Sequence, residues 1–416
     1  MKAVVEVPFT NAGTSWAVPE DAQALAAELR RCDADGRKAV LFGGGTLQGL
    51  GNPPRACDLA ISTTKLNALI EYDPRDLTIA VGAGMTLRTL ANTLGKHGQF
   101  VPIDAPHPER ATIGGTLAAG WIGPRRARYG RPRDYLIGTT VALADGTLSS
   151  AGGMVVKNVT GYDVGKLFVG SLGTLGALVR INLKALPAPQ TNRVAIASLP
   201  EATRERALEH LSTLAVEPTC LLFVRGFSRE IDGTDGLEGR LFLYYEGTQA
   251  VVDRATRELR SALGAAGVPE TTILDQNAAR SYQRLIDAYT STVGQRSLTL
   301  RSHGLPGDVL VRFITIESIA REYKLSLDAI ADVGTGDLIA RFVSRDTETI
   351  SYLAPPLVEA ARERLSGLTI IAGDPAVRGS IDTWDAPPPS IGKLRALKER
   401  FDPRGTLAPG RLVGGI

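Results

Sequence analysis

The chain has 416 residues, and its 47 Lys and Arg against 44 Asp and Glu leave a formal charge of only +3. That length accommodates about two or three domains with full cores, and the near balance of charge gives nucleic-acid binding no support. Three scattered cysteines, Cys32, Cys57 and Cys220, make neither a disulfide framework nor a CxxC metal or iron–sulfur site, the four histidines contain no HxxxH pair, and no run approaches the ~18 apolar residues of a membrane span, so a soluble cytoplasmic protein is expected.

In chain order, Val18, Ala22, Leu25, Ala26 and Leu29 fall at helical spacing, and Gly36 closes the segment before a strand over 38–42. That strand runs into Leu41-Phe-Gly-Gly-Gly-Thr-Leu-Gln-Gly-Leu-Gly51. Three consecutive glycines permit positive φ and carry no Cβ, so several backbone N–H groups can converge on one anion such as a nucleotide diphosphate; a glycine-rich turn between strands is the competing explanation. No GxGxxG opens a helix, and Gly161-Tyr-Asp-Val-Gly-Lys166 has too short a spacer for a Walker loop and continues with Leu167. Strands are expected over 58–63, 70–72 and 77–81, with a turn at Asp73-Pro-Arg-Asp76. A helix over 86–96 presents Leu87, Leu90, Ala91 and Leu94 on one face and ends at Gly98.

The character then changes. Val101-Pro-Ile-Asp-Ala-Pro106 is stiffened by proline, and the segment 111–123 sets Gly114, Gly115, Gly120 and Gly123 among small residues. Such a segment cannot fill a core with bulk, but it brings backbone against a flat ring system, as a cofactor wall; a tightly packed bend is the alternative. Arg125, Arg126, Arg128, Arg131 and Arg133 follow closely. A solvated basic loop accounts for most of them, while one or two can reach a phosphate, a carboxylate substrate or an acidic partner surface. A hairpin is expected around Asp145-Gly146, then a glycine-punctuated stretch over 164–176, an alternating strand over 177–186, and a boundary at Pro187-Ala-Pro189.

The second half opens with strands over 193–199, 219–226, 240–246 and 270–274 and helices over 201–214 and 248–263, a β-α-β-β-α-β order. The same order recurs with 297–315 extended, 316–323 helical, strands over 327–333 and 337–343 around Gly334-Thr-Gly336, a helix over 347–364 despite Pro355-Pro356, and a strand over 368–372. Residues 231–239 are expected as a surface loop. The tail carries Asp382-Thr-Trp-Asp-Ala-Pro-Pro-Pro389, a helix with Ile391, Leu394, Leu397 and Phe401, and Asp402-Pro-Arg-Gly-Thr-Leu-Ala-Pro-Gly-Arg411.

Gly43-Gly-Gly-Thr46, ATIGGTLAAGWIG at 111–123, Arg128-Tyr-Gly130, Ala144-Asp-Gly146 and KNVTGYDVGKLFVGSLGTLGALVRINLKALP at 157–187 stand in the order and spacing of FAD-binding domains of the vanillyl-alcohol oxidase (PCMH) type, which the sequence resembles. Gly123-Pro-Arg-Arg126, Arg133-Asp-Tyr-Leu-Ile-Gly138 and Val156-Lys-Asn-Val-Thr-Gly-Tyr-Asp163 make it most similar, within that class, to the FAD-binding subunits of bacterial glycolate oxidases. The resemblance implies an α+β fold: a two-lobed FAD-binding domain over 1–189, a C-terminal α/β cap domain of split βαβ (ferredoxin-like) units over 190–381, and a tail over 382–416 that returns to the FAD domain.

It also implies roles. Gly43, Gly44, Gly45, Thr46, Leu47 and Gln48 are expected at the diphosphate of FAD; Pro102, Thr112, Gly114, Gly115, Ala118, Gly120 and Gly123 along the ribityl chain and isoalloxazine; Gly176 and Leu178 at the adenine end. Residues 42–51 lack the histidine that often carries covalent flavin, so FAD is expected to be non-covalent; Leu172 stands where many relatives have an acid, and Ala408 where an Asn-Pro-Gly turn touches the ring. Related hydroxy-acid dehydrogenases bind a metal through His-x-Gly-Asp-Gly-Asn-x-His; Asp332-Val-Gly-Thr-Gly-Asp-Leu-Ile339 keeps the glycines but has Asp332 and Ile339 in place of the imidazoles, so no metal site is expected. His303 is expected to be structural, and His107 is the better placed of the two for a role beside the flavin, while no catalytic base stands out. The implied partners are the catalytic flavin subunit and an iron–sulfur subunit of a glycolate oxidase complex, with a small 2-hydroxy acid as substrate, no nucleic acid, and any membrane association made through those partners. A stand-alone FAD-dependent alcohol or 2-hydroxy-acid oxidoreductase, and a flavin-less scaffold, stay open at this point.

Overall fold

The computed structural model describes residues 9–155, 163–228, 230–231, 239–268, 271–292, 294 and 296–416. Most of the motif at 156–163 and of the loop at 231–239 therefore lies outside the described residues. The chain divides into two units, one of residues up to 122 with 131–188 and 378–416, the other of 123–130 with 189–377.

In the first unit β1 (Ser15–Ala17), β2 (Ala39–Phe42) and β3 (Leu59–Ser62) form a parallel sheet in the order β1-β3-β2. The tail extends it: Ala39 N–H donates to the Thr406 carbonyl at 2.8 Å, Ala408 N–H to the Ala39 carbonyl at 2.9 Å, and Ala39 bridges Leu407 in parallel. The first helix covers Ala22–Ala34, later than its hydrophobic spacing predicts. Asp21 is the N-cap, its side chain accepting from Ala24 N–H at 2.8 Å, and Pro19 holds the preceding backbone out of the helix, which leaves Val18 exposed. Leu25, Ala26, Leu29 and Cys32 on this helix bury against Ile61, Ala142, Ala177 and Leu407, so one core joins the tail to both sheets of the unit.

The second sheet of this unit follows from β4 (Leu69–Asp73), β5 (Thr78–Gly82), β6 (Gln99–Phe100), β7 (Leu136–Ala142), β8 (Leu148–Gly152), β9 (Ala177–Lys184) and β10 (Leu186–Pro187). Five of them pair antiparallel in the order β4-β5-β9-β7-β8, while β6 and β10 make a separate two-stranded ladder. The glycine-rich 111–123 segment is more regular than expected, for Ile113–Ala118 is a helix whose N-cap Thr112 accepts from Gly115 N–H at 3.2 Å.

The second unit is built on one eight-stranded sheet of β11 (Thr191–Ser198), β12 (Cys220–Arg225), β13 (Arg240–Gly247), β14 (Thr271–Leu274), β15 (Ser297–His303), β16 (Ser326–Asp332), β17 (Asp337–Val343) and β18 (Leu368–Gly373). Its order, β14-β11-β13-β12-β16-β17-β15-β18, is two split βαβ units set edge to edge as mirror orders and joined by the antiparallel pair β12 and β16. Residues 309–315, expected to be extended, are helical within Val309–Glu322. The β-branched run there suggests a strand, but Val309, Phe313, Ile316 and Ala320 recur at helical spacing and are all buried, and Pro306 stops β15 from continuing. The helix Ala278–Ala288 between the two units has no counterpart in the sequence-based expectation.

Candidate cofactor cleft and the arginine-locked sheet

β2 delivers Gly43, Gly44 and Gly45 to the mouth of the first unit, where the loop lies almost in contact with residues 110–115. A Cβ on Gly43 would stand 2.0 Å from Thr112 Oγ1, one on Gly44 would stand 1.8 Å from the Arg110 carbonyl oxygen, and Gly45 has φ of +72°. The glycines are thus demanded by the close approach as well as by backbone freedom. Between this loop, the helix Ile113–Ala118, the segment 172–178 and the tail residue Arg411 lies a cleft partly open to solvent, with about 670 Å³ of empty space when its open side is included. A second cavity, with about 510 Å³ of empty space, is lined by Gly120, Trp121, Ile122, Arg131, Arg133 and Gly170, and Thr116 lines both.

The structure brings most sequence-predicted cofactor residues together here. Gly43, Gly44, Gly45, Thr46, Leu47, Gln48, Thr112, Gly114, Gly115, Ala118, Gly176 and Leu178 all line the first cleft. Gly120 lines the second cavity, buried Pro102 lines neither, and Gly123 sits in the 123–130 segment of the other unit. His107, with φ of +53°, lines neither cavity. Thr63, Thr116, Leu172 and Arg411 also line the first cleft. The resemblance brings the tail back to the FAD domain and marks Leu172 as a departure from its relatives, but it assigns none of these four residues a contact with the cofactor.

A test of fit is available from the residues themselves. Nε and Nη1 of Arg411 are buried without a hydrogen-bond partner, while its Nη2 donates to Gln48 Oε1 at 2.9 Å. A glycine loop of backbone donors facing an unsatisfied guanidinium suits an anionic ligand.

The fold is that of PCMH-type FAD-binding proteins, and the comparisons with known proteins give an FAD-dependent oxidoreductase with FAD as its cofactor. Residues 15–152 match the family described as FAD binding domain. The chain is 32% identical over 246 residues to glycolate oxidase subunit GlcE of Escherichia coli K12, an alignment that covers 59% of this chain and 66% of that one, just short of two thirds of its length. It is 24% identical to glycolate oxidase subunit GlcD of Bacillus subtilis 168 over 95% of this chain and 87% of GlcD, and 26% identical to a D-lactate dehydrogenase of Archaeoglobus fulgidus over 95% and 90%. Among solved structures, p-cresol methylhydroxylase with substrate bound superposes with a TM-score of 0.75 at 16% identity, covering 97% of this chain and 90% of that one.

In the second unit the arginine-rich segment is not a solvated loop. Arg125 pairs with both carboxylate oxygens of buried Glu246, at 3.0 and 2.8 Å, and lies over the Tyr282 ring; Arg128 Nη1 donates to the Glu246 carbonyl at 2.8 Å. Arg126 Nη2 donates to Asp337 Oδ1 at 2.9 Å and to the Thr335 carbonyl at 3.0 Å. Asp337 also accepts from Arg301 Nη2 at 2.5 Å and pairs with His303 Nδ1 at 2.7 Å. The expectation of a solvated loop therefore fails for Arg125 and Arg126, because carboxylates distant in sequence meet them on one sheet, while Arg128 is exposed although its Nη1 reaches the Glu246 carbonyl. In the first unit Arg131 and Arg133 stay exposed.

These ion pairs occupy the Asp332–Ile339 segment. Burial works against the Asp337 carboxylate, yet His303, Arg301 and Arg126 overcome it and hold its carboxyl well below the usual range. Asp332 makes no ion pair among the described residues, and Arg126 acts on it only as the smallest of the influences there. Burial, with Asp337 adding to it, pushes Asp332 up to about 7 although Gly334 and Thr335 N–H donate to its Oδ1 at 3.0 and 3.1 Å. A folded-state value above the ordinary 3.8 means that this group's contribution is fully present in acid and is lost as pH rises from about 4 to about 7. Asp332→Asn keeps the acceptor and removes the titration, so its melting temperature is expected to depend less on pH across that window and to exceed the wild-type value at pH 8. Parallel melting curves of the two proteins from pH 4 to pH 8 test this; equal slopes exclude it.

Proposed function

We propose that this chain is the FAD-binding subunit of a glycolate or other 2-hydroxy-acid oxidase complex, passing electrons from a catalytic flavin subunit toward an iron–sulfur partner. Its class and cofactor are those of an FAD-dependent oxidoreductase, and the named relatives act on 2-hydroxy acids. The observation that carries the subunit role is the closed ion-pair set at Asp332–Ile339. Arg126 and Arg301 both donate to Asp337 of this segment, and Ile339 offers no ligand atom. The odd, scattered cysteines place any iron–sulfur cluster on another chain.

Bound FAD supplies a two-electron acceptor. The residues of the cleft hold it: backbone N–H groups of 43–48 at the diphosphate, Thr112 to Ala118 and Gly120 along the ribityl and ring portion, and Gly176 and Leu178 at the adenine end, without a covalent link. A second reading, an autonomous 2-hydroxy-acid dehydrogenase, draws on the similarity to D-lactate dehydrogenase over nearly the whole chain. The full chain purified alone separates the two. Flavin absorbance near ~450 nm is expected, unbleached by glycolate or D-lactate until the partner subunits are added. Bleaching by either acid without partners favours the autonomous enzyme, and a colourless protein that cannot be reconstituted with FAD returns the scaffold role.

A further inference from the structure

Two guanidinium groups, those of Arg378 and Arg411, lie buried in the first unit, and among the described residues no acid pairs with either. Arg411 and Arg378 are 3% and 2% exposed. Arg411 donates only to Gln48, through Nη2, and Arg378 Nη2 donates to the Gly51 carbonyl at 2.9 Å; Nε of both and Nη1 of Arg411 have no partner. Burial lowers Arg378 to about 10, and burial together with its neighbour Arg378 lowers Arg411 to about 9, so both are charged at neutral pH, and no carboxylate figures among the groups acting on either. The Phe9 ring lies 5.7 and 5.0 Å from the two guanidinium carbons, a contact that offsets only part of the burial of two like charges.

The surroundings fix where the missing negative charge belongs. The Arg411 carbonyl accepts from Asn52 N–H and Trp384 Nε1, each at 3.0 Å, so the backbone of this residue is tethered to the glycine loop. A Cβ on Gly51 would lie 2.8 Å from that same carbonyl oxygen, and only glycine there allows the tail to come so close. Arg411 alone of the pair lines the cleft, on the side of Gly43 to Gln48.

We propose that Arg411, with Arg378 behind it, is the counter-cation of the FAD diphosphate, so that the C-terminal tail and the cofactor stabilise each other. This rests on the placement of FAD in the cleft. The planar fork of Arg411 offers its unpartnered terminal Nη1 to a phosphate oxygen while Nη2 stays on Gln48, and backbone N–H groups of the loop complete the anion's shell. An apoprotein of this kind carries two opposed charges that ligand binding neutralises.

The test compares wild type, Arg411→Met and Gln48→Glu as full chains stripped of flavin. FAD and riboflavin are titrated by fluorescence at several salt concentrations, and apo and loaded melting temperatures are recorded. Arg411→Met is expected to weaken FAD by roughly 10- to 100-fold, the value of a charge-assisted hydrogen bond, to flatten its salt dependence, and to leave riboflavin binding unchanged. Its apo melting temperature should be equal to or above wild type while the FAD-induced rise shrinks; a merely structural arginine would lower both states together. Gln48→Glu gives Arg411 an internal carboxylate and should likewise raise the apo melting temperature and weaken FAD. FAD affinity unchanged in both variants, or FAD and riboflavin weakened alike, overturns the proposal while the cleft assignment survives. Wild-type protein that binds neither flavin sinks the cleft assignment itself.

Discussion

Gly44→Ala is expected to yield a chain that no longer retains FAD. The added methyl would sit 1.8 Å from the Arg110 carbonyl oxygen and 2.5 Å from its carbon, a contact with backbone and not with a side chain that could turn away. Nor can residues 110–111 retreat freely, because Arg110 and Ala111 N–H both donate to the His107 carbonyl, at 2.9 and 2.8 Å, and Ala111 in turn accepts from Leu87 N–H at 2.9 Å. The loop must move instead, which misdirects its row of donors. Overpacking of this kind costs about 1–3 kcal/mol even where relaxation is possible. Gly43→Ala is expected to be milder, since its methyl meets the Thr112 hydroxyl, which can rotate at the cost of its cap on Gly115, about 1 kcal/mol. The ratio of flavin absorbance to protein absorbance after purification decides the matter. Full flavin content in Gly44→Ala would show that the loop does not depend on this approach.

The periodic elements were legible because local pattern and tertiary context agree. The helix Leu87–Gly95 puts Leu87, Leu90 and Leu94 in the core, and two β-α-β-β-α-β orders can be read from alternation and turn residues alone. The glycine loop was legible for the same reason, since a run of three glycines has few other uses. What the sequence hides is long-range. That Arg126 finds Asp337 and Arg125 finds Glu246 depends on pairings more than a hundred residues apart, and a basic run with no partner in view looks solvated. Arg411 is hidden for the same reason. Ala408 is a different case: its φ of +37° is one that asparagine or glycine adopts more easily, yet alanine stands there.

Asp337→Asn is expected to destabilise the second unit more than any other single change on its sheet. The carboxylate is 5% exposed and neutralises Arg126 and Arg301 while holding His303, so an amide leaves buried Arg301 and half-buried Arg126 without their shared anion. Breaking a buried pair by removing one partner costs about 3–5 kcal/mol, which for a unit of this size lowers the melting temperature by roughly 6–20 °C. The pH signature has the opposite sign to that of Asp332. A carboxyl held below its ordinary 3.8 contributes stability that is present above about pH 4 and lost as pH falls further, so wild type and variant should converge in acid and separate toward neutrality. Flavin content should be untouched, because Asp337 lines neither cavity of the cofactor unit. Calorimetry of both proteins from pH 3 to pH 8 tests all three statements. A variant that melts with wild type at pH 7 would mean that the arginine lock contributes nothing to stability, and the support this ion-pair set lends to the subunit role would fall with it.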